Sequence, residues 1–130
     1  MRLKLAASLA ALAAAVAIPA VAHHSLSAEY DTTKPVTVKG TVTKVEWMNP
    51  HIWIYIDSKD DKGNLVQWQC EGGPPNSLTR QGWTRNSLKA GDNVTIDGLM
   101  AKTRENTCNS SRVTLPDGKR VFARSPEDAK

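Results

Sequence analysis

Three histidines carry most of the chemistry open to this chain: His23, His24 and His51. The first two follow Ala20-Val21-Ala22, a small-x-small site of the kind a signal peptidase cuts. It closes a charged start (Arg2, Lys4) and an apolar run from Leu5 to Ala17 broken by Pro19. Cleavage after Ala22 puts His23 first in the mature chain, where its α-amine and imidazole would chelate one metal together. A second imidazole would complete a three-nitrogen set, which suits the tetragonal preference of Cu(II). The amine, with an ordinary pKa of about 7.7–8.0, loses its proton on binding, so affinity should rise with pH. His51 is the natural second imidazole; His24 is nearer but sterically awkward. Cleavage after Ala20 would instead leave Val21-Ala22-His23, which also binds Cu(II), although Ile18 at the −3 position disfavours that cut. The plain alternative is that His23 and His24 are polar residues of an irregular arm.

His51 lies in Trp47-Met48-Asn49-Pro50-His51, where Asn49-Pro50 is a turn signal. The strand that follows alternates cleanly, with Ile52, Ile54 and Ile56 on one face and His51, Trp53 and Tyr55 on the other. Three isoleucines make the core face. An imidazole beside two large rings on the opposite face forms a platform able to stack a flat ligand or wall a metal site. An N-terminal arm folded over those rings is the simpler alternative, and it would also bring His23 towards His51. Met48 is a candidate soft axial ligand or a packing residue. Asp57, Asp60 and Asp61 lack the spacing of a calcium loop and read as a solvated hairpin. Glu46 and Glu71 offer no acid/base pair, and no nucleophile elbow, HExxH, CxxC or phosphate-binding glycine loop occurs.

Elements must position these residues. Residues 1–22 read as a cleaved signal, 23–34 as an N-terminal arm, 35–123 as one β domain and 124–130 as a flexible tail. From Pro35, Val36, Val38 and Val42 share a face, and Val45 and Trp47 resume on the other parity. That change predicts a bulge or bend between Gly40 and Lys44. Asp57 to Asn64 reads as a hairpin loop, and a third strand follows with Val66, Trp68 and Cys70 on one face. Glu71-Gly72-Gly73-Pro74-Pro75 stops it. Asn76 is placed to cap a short helix through Gln81 with Gly82 as its terminator, and Val94 and Ile96 mark a fourth strand. Residues 98–111 read as mostly loop, with a last strand region at Arg112–Leu115 and Val121-Phe122 after a turn at Pro116-Asp117-Gly118. Three strands, one short helix, then two strands predict an all-β, five-stranded OB-like Greek-key barrel.

Composition narrows the partners. Arg2 and Lys4 account for two of the four net positive charges, so the mature chain is too weakly basic for a nucleic-acid footprint. No second apolar run reaches the roughly 20 residues that span a bilayer, so no membrane anchor is expected after cleavage. In an exported compartment Cys70 and Cys108 are free to pair, and a bridge would contribute roughly 3–4 kcal/mol in the chain-entropy model. One buried and one exposed thiol is the alternative.

Ala-His-His-Ser after a signal, Val-Thr-Val-Lys-Gly-Thr-Val-Thr-Lys-Val-Glu-Trp-Met-Asn-Pro-His, and Gly-Trp-Thr-Arg-Asn-Ser-Leu-Lys-Ala-Gly-Asp resemble a group of small exported bacterial proteins. That group is a domain of unknown function, and the resemblance covers about His23 to Phe122. It implies a periplasmic β-rich domain and brings no catalytic residues; the two cysteines are not among its motifs. The leading expectation is therefore a periplasmic binding protein for Cu(II), without turnover, with His23, His51 and His24 as metal residues. The alternative is a metal-independent module that binds a flat small ligand or a periplasmic partner protein on Trp53 and Tyr55. An oxidative copper enzyme has only the terminal histidine in its favour.

Overall fold

The computed structural model describes residues 25–122; the expected signal, His23, His24 and the tail 124–130 lie outside them. The elements are α1 (Leu26–Glu29), β1 (Tyr30–Glu46), β2 (Trp53–Lys59), β3 (Leu65–Glu71), α2 (Pro75–Arg80), β4 (Asn93–Ala101), β5 (Thr107–Thr114) and β6 (Arg120–Phe122). The protein is mostly β. Its sheet runs β3-β2-β1-β4-β5-β6 with antiparallel neighbours, and β3 pairs additionally with β5, in parallel. No helix among the described residues is long and apolar enough to cross a membrane.

The long first strand serves two neighbours because it changes phase. Its register against β2 slips between Val42 and Lys44, so Thr43 is an extra residue. Val38 and Val42 are buried before the slip, and Val45 and Trp47 pack on the core after it. The bulge therefore turns both apolar stretches of β1 inward. Gly40 sits between Ser58 of β2 and Val94 of β4, where an added Cβ would collide with the Asp57 carbonyl oxygen. Ile52, just ahead of β2, and Ile54 and Ile56 on it are fully buried, as the alternation predicts.

Four boundaries differ from those read in the sequence. β1 starts at Tyr30 rather than Pro35, because Tyr30 is buried and pairs with Ala101. The stretch between them leaves the ladder, with Asp31 bonding Thr33, and so shows no strand alternation. β4 and β5 run well into the expected loop at 98–111. There Thr107, Asn109 and Ser110 are buried polar residues, which give no apolar signal. The last strand region, expected to turn at Pro116-Asp117-Gly118, does turn there, with Leu115 N–H bonding Lys119 O, but its two sides are separate strands, β5 and β6, which makes six strands rather than five. In α2, Pro74 rather than Asn76 holds the cap position, with proline in the first turn, where a missing N–H costs nothing. The far end matches expectation: Gly82 has φ +92°, Gly82 N–H bonds Thr79 O and Trp83 N–H bonds Leu78 O. Leu78 and Trp83 both enter the core.

Cys70 and Cys108 face each other across the parallel β3–β5 pairing and form a disulfide, with Cα atoms 4.5 Å apart and a sequence separation of 38. Replacing both by serine should lower unfolding free energy by about 2–4 kcal/mol, read from urea midpoints under oxidising conditions. Gly40→Ala should lower it by about 1–3 kcal/mol in the same assay, because the new methyl has no space beside Asp57.

Candidate functional site

The outer face of β2 carries the residues singled out by type, and β3 completes it. Trp53 lies opposite Glu71 and Tyr55 opposite Gln69. Beyond the ladder, Gly72 N–H bonds Ile52 O and Ile52 N–H bonds Gly73 O, which fixes His51 beside the end of β3. Nδ1 of His51 is 2.5 Å from Oε1 of Glu71, and the Tyr30 hydroxyl donates to Oε2 of the same carboxylate. Nη2 of Arg104 donates to the Tyr30 hydroxyl at 3.2 Å, and its guanidinium lies 5.3 Å from the centre of the Trp53 ring.

Glu71 is only 9% exposed and Tyr30 only 2%, so the contacts among them are made largely away from water. Burial pushes the Glu71 carboxyl up. Hydrogen bonds from His51 and Tyr30, with the charges of His51 and Arg104, outweigh it and hold the group below its ordinary value. Burial, then the bond to Glu71, drives the Tyr30 phenol far above its ordinary value, so it stays protonated and a donor. An ionised carboxylate only accepts, hence the proton between Glu71 and His51 sits on Nδ1.

The same cluster fastens the start of the described chain. Lys102 N–H bonds Glu29 O at 2.9 Å, Lys102 Nζ bonds Ser27 O at 2.6 Å, and Arg104 Nη2 is 3.7 Å from Glu29 Oε2. Residues 25–30 are thus held by the β4–β5 connection on one side and by Glu71 on the other.

Of the expected site residues, His51, Trp53 and Tyr55 come together on one face. His23 and His24 lie outside the described residues. Trp53 and Tyr55 are half-buried, each with a cation on its ring: Arg104 for Trp53 and Lys44, 4.7 Å from the ring centre, for Tyr55. Tyr55 also donates to Glu46 at 3.0 Å. Met48 is 50% exposed. Asp60 closes its hairpin by accepting from the Lys62 and Asn64 backbones. Among the described residues no group of three or more His, Cys, Asp or Glu side chains is placed to hold a metal, so His51 would need ligands from outside them.

Sequence reading missed Glu71, Tyr30 and Arg104. The signal for Glu71 was present in the hairpin: Lys59 pairs with Leu65, and counting inward from that pair puts Trp53 opposite Glu71. Tyr30 and Arg104 gave no such signal.

Fold and cluster together define a small β-rich domain in which one buried carboxylate joins an imidazole and a phenol. The chain belongs to a family of unknown function (DUF6152), matched over residues 11–110, a span that includes every residue of the cluster. A search of curated proteins gives no match.

Because the folded Glu71 value lies below the ordinary 4.5, its contribution to stability is fully present above 4.5 and is lost as pH falls through the folded value. Urea unfolding across the acid range should therefore show a steeper loss of stability below pH 4.5 in the wild type than in Glu71→Gln. Equal slopes would mean that Glu71 titrates alike in the folded and unfolded chains.

Proposed function

We propose that this is an exported, periplasmic binding protein for Cu(II), in which the mature N-terminus and His51 together hold the metal. His23 supplies amine and imidazole, His51 the second imidazole, and His24 is the nearer substitute. The observation that carries this reading is the Glu71 carboxylate shared between His51 and Tyr30, because it anchors the start of β1 beside His51. His23 precedes Ser25 by two residues, a span of at most about 7 Å. The donor chemistry fits as well: a histidine ligand commonly gives its other ring N–H to a carboxylate, as His51 does. The metal would be stored, carried or buffered, with no turnover.

We also read the architecture as an OB-like Greek-key barrel. In support, the pairings run β1-β2-β3-β5-β4 and return to β1, with α2 between β3 and β4. On such a barrel the β2–β3 face is the usual binding platform, and His51, Trp53, Tyr55 and Glu71 belong to it.

A second reading, a metal-independent module for a flat ligand or partner protein, draws on the Trp53 and Tyr55 rings with their cations. One experiment separates the two. The protein is expressed with its own signal, recovered from the periplasm, checked by mass spectrometry for its first residue, and titrated with Cu(II) under electron paramagnetic resonance. A one-to-one, nitrogen-rich signal is expected, with affinity reduced by at least about tenfold in His51→Ala and little changed in Trp53→Ala. A signal indifferent to His51→Ala would reduce the copper to an exposed terminal histidine and favour the aromatic module.

A further inference from the structure

We propose that the first half of β3 is an interaction surface for a second copy of this chain. The two copies pair edge to edge, with Leu65 opposite the partner's Gln67 and Val66 opposite the partner's Val66.

The strand is paired unevenly. It faces β2 along its whole length, from Leu65 against Lys59 to Glu71 against Trp53, whereas β5 meets only Gln69, Cys70 and Glu71. Gln69 N–H bonds Asn106 O, so the backbone groups of Gln69 point away from β2. Strand alternation sends those of Gln67 and Leu65 the same way. Among the described residues no strand lies beside them. Proteins commonly guard such an edge with proline, charge or a bulge, and Leu65-Val66-Gln67-Trp68 has none of the three. It leaves Leu65 63% exposed instead.

Register selects the chain's own copy as the occupant. Two such edges meet antiparallel about a twofold axis, and the bonds must come from the outward groups of Leu65 and Gln67. Setting Gln67 against the partner's Gln67 would bring Leu65 to the partner's Gln69, whose N–H is already taken by Asn106. Setting Leu65 against the partner's Leu65 would bring Gln67 to the partner's Gly63, which is inside the hairpin turn. Leu65 against the partner's Gln67 uses both residues of both copies, each pair exchanging two hydrogen bonds.

The side chains suit the same register. On β2, Lys59 stands beside Leu65 and Asp57 beside Gln67. Each outer row of the joined sheet therefore reads Lys59, Leu65, the partner's Gln67, the partner's Asp57. One cation and one anion flank every row, no like charges stand opposite, and Leu65 is covered by the partner's Gln67. Neither Lys59 nor Asp57 has an ion-pair partner among the described residues. The joined sheet also turns the Trp53 and Tyr55 faces of both copies to one side, whatever ligand that face takes.

The test is sedimentation of the purified protein, which should show a dimer that forms as concentration rises. Val66→Cys should trap it as an intermolecular disulfide. A residue opposite itself at a non-hydrogen-bonded position has Cα atoms about 4.5 Å apart, within reach of a bridge. Gln67→Cys faces the partner's Leu65 and should not cross-link; peptide mapping checks that Cys70–Cys108 is intact in both. Leu65→Lys with Gln67→Lys puts like charges opposite each other twice and should weaken the dimer by about tenfold or more. Leu65→Lys with Gln67→Glu should restore it. Circular dichroism checks the fold of each variant.

A protein that stays monomeric up to about 1 mM overturns the proposal. So does a dimer that the double lysine variant leaves unchanged, because it then forms through another surface. Equal cross-linking of Val66→Cys and Gln67→Cys overturns the register.

Discussion

A carboxylate taken out of water must be compensated on the spot, and the buried Glu71 is the constraint that organises this end of the molecule. An isolated buried charge is costly enough that the group would sooner bind a proton. Here donors arrive from two places far apart in the chain, His51 ahead of β2 and Tyr30 at the start of β1, and Arg104 from the β4–β5 connection supports the second. Removing any one of them leaves the others partly unpaired in a low-dielectric setting. The loss is then larger than a single surface hydrogen bond would suggest.

The position of Glu71 follows from the core beneath it. β2 turns Ile54 and Ile56 inward and Trp53 and Tyr55 outward, and β3, in register with it, sends Cys70 inward and Glu71 to the face of the rings. The disulfide closes the interior side of this arrangement by joining β3 to β5. A covalent tie one residue away fixes where the carboxylate stands, and the bulge in β1 allows that strand to cover the same core from two directions. Packing and electrostatics thus meet at one residue pair, Cys70 and Glu71.

The outer face is dressed rather than bare. Arg104 over Trp53 and Lys44 over Tyr55 place cations on the rings, and Lys44 is in turn paired with Glu46 at 2.5 Å. Such contacts explain why two large aromatic residues sit on an outward face without forming an open apolar patch. Arg104 also links Trp53 to the network of Tyr30, Glu71 and His51, whereas Tyr55 is held by Lys44 and Glu46. Imidazole, Trp53 ring and anchoring tyrosine are therefore held relative to one another.

Local pattern made some of this legible in the sequence. Strict alternation placed Ile52, Ile54 and Ile56 inside and gathered His51, Trp53 and Tyr55 on one face, because side chains in a strand repeat every two residues. The change of parity after Val42 announced the bulge, and Gly82 announced the end of α2, since both are written in adjacent residues. Residues whose partners lie far along the chain stayed hidden. Thr107, Asn109 and Ser110 are buried but polar, so their strand had no apolar signature. Glu71 is marked only by the hairpin register that sets it opposite Trp53, and Tyr30 and Arg104 are unremarkable as types, with no spacing that marks them. Only strand pairing brings them within hydrogen-bonding distance. The sequence by itself determined the apolar faces of the alternating strands; the tertiary structure decided that one buried carboxylate would join His51 to Tyr30 at the start of β1, because desolvation forces distant donors to converge on it.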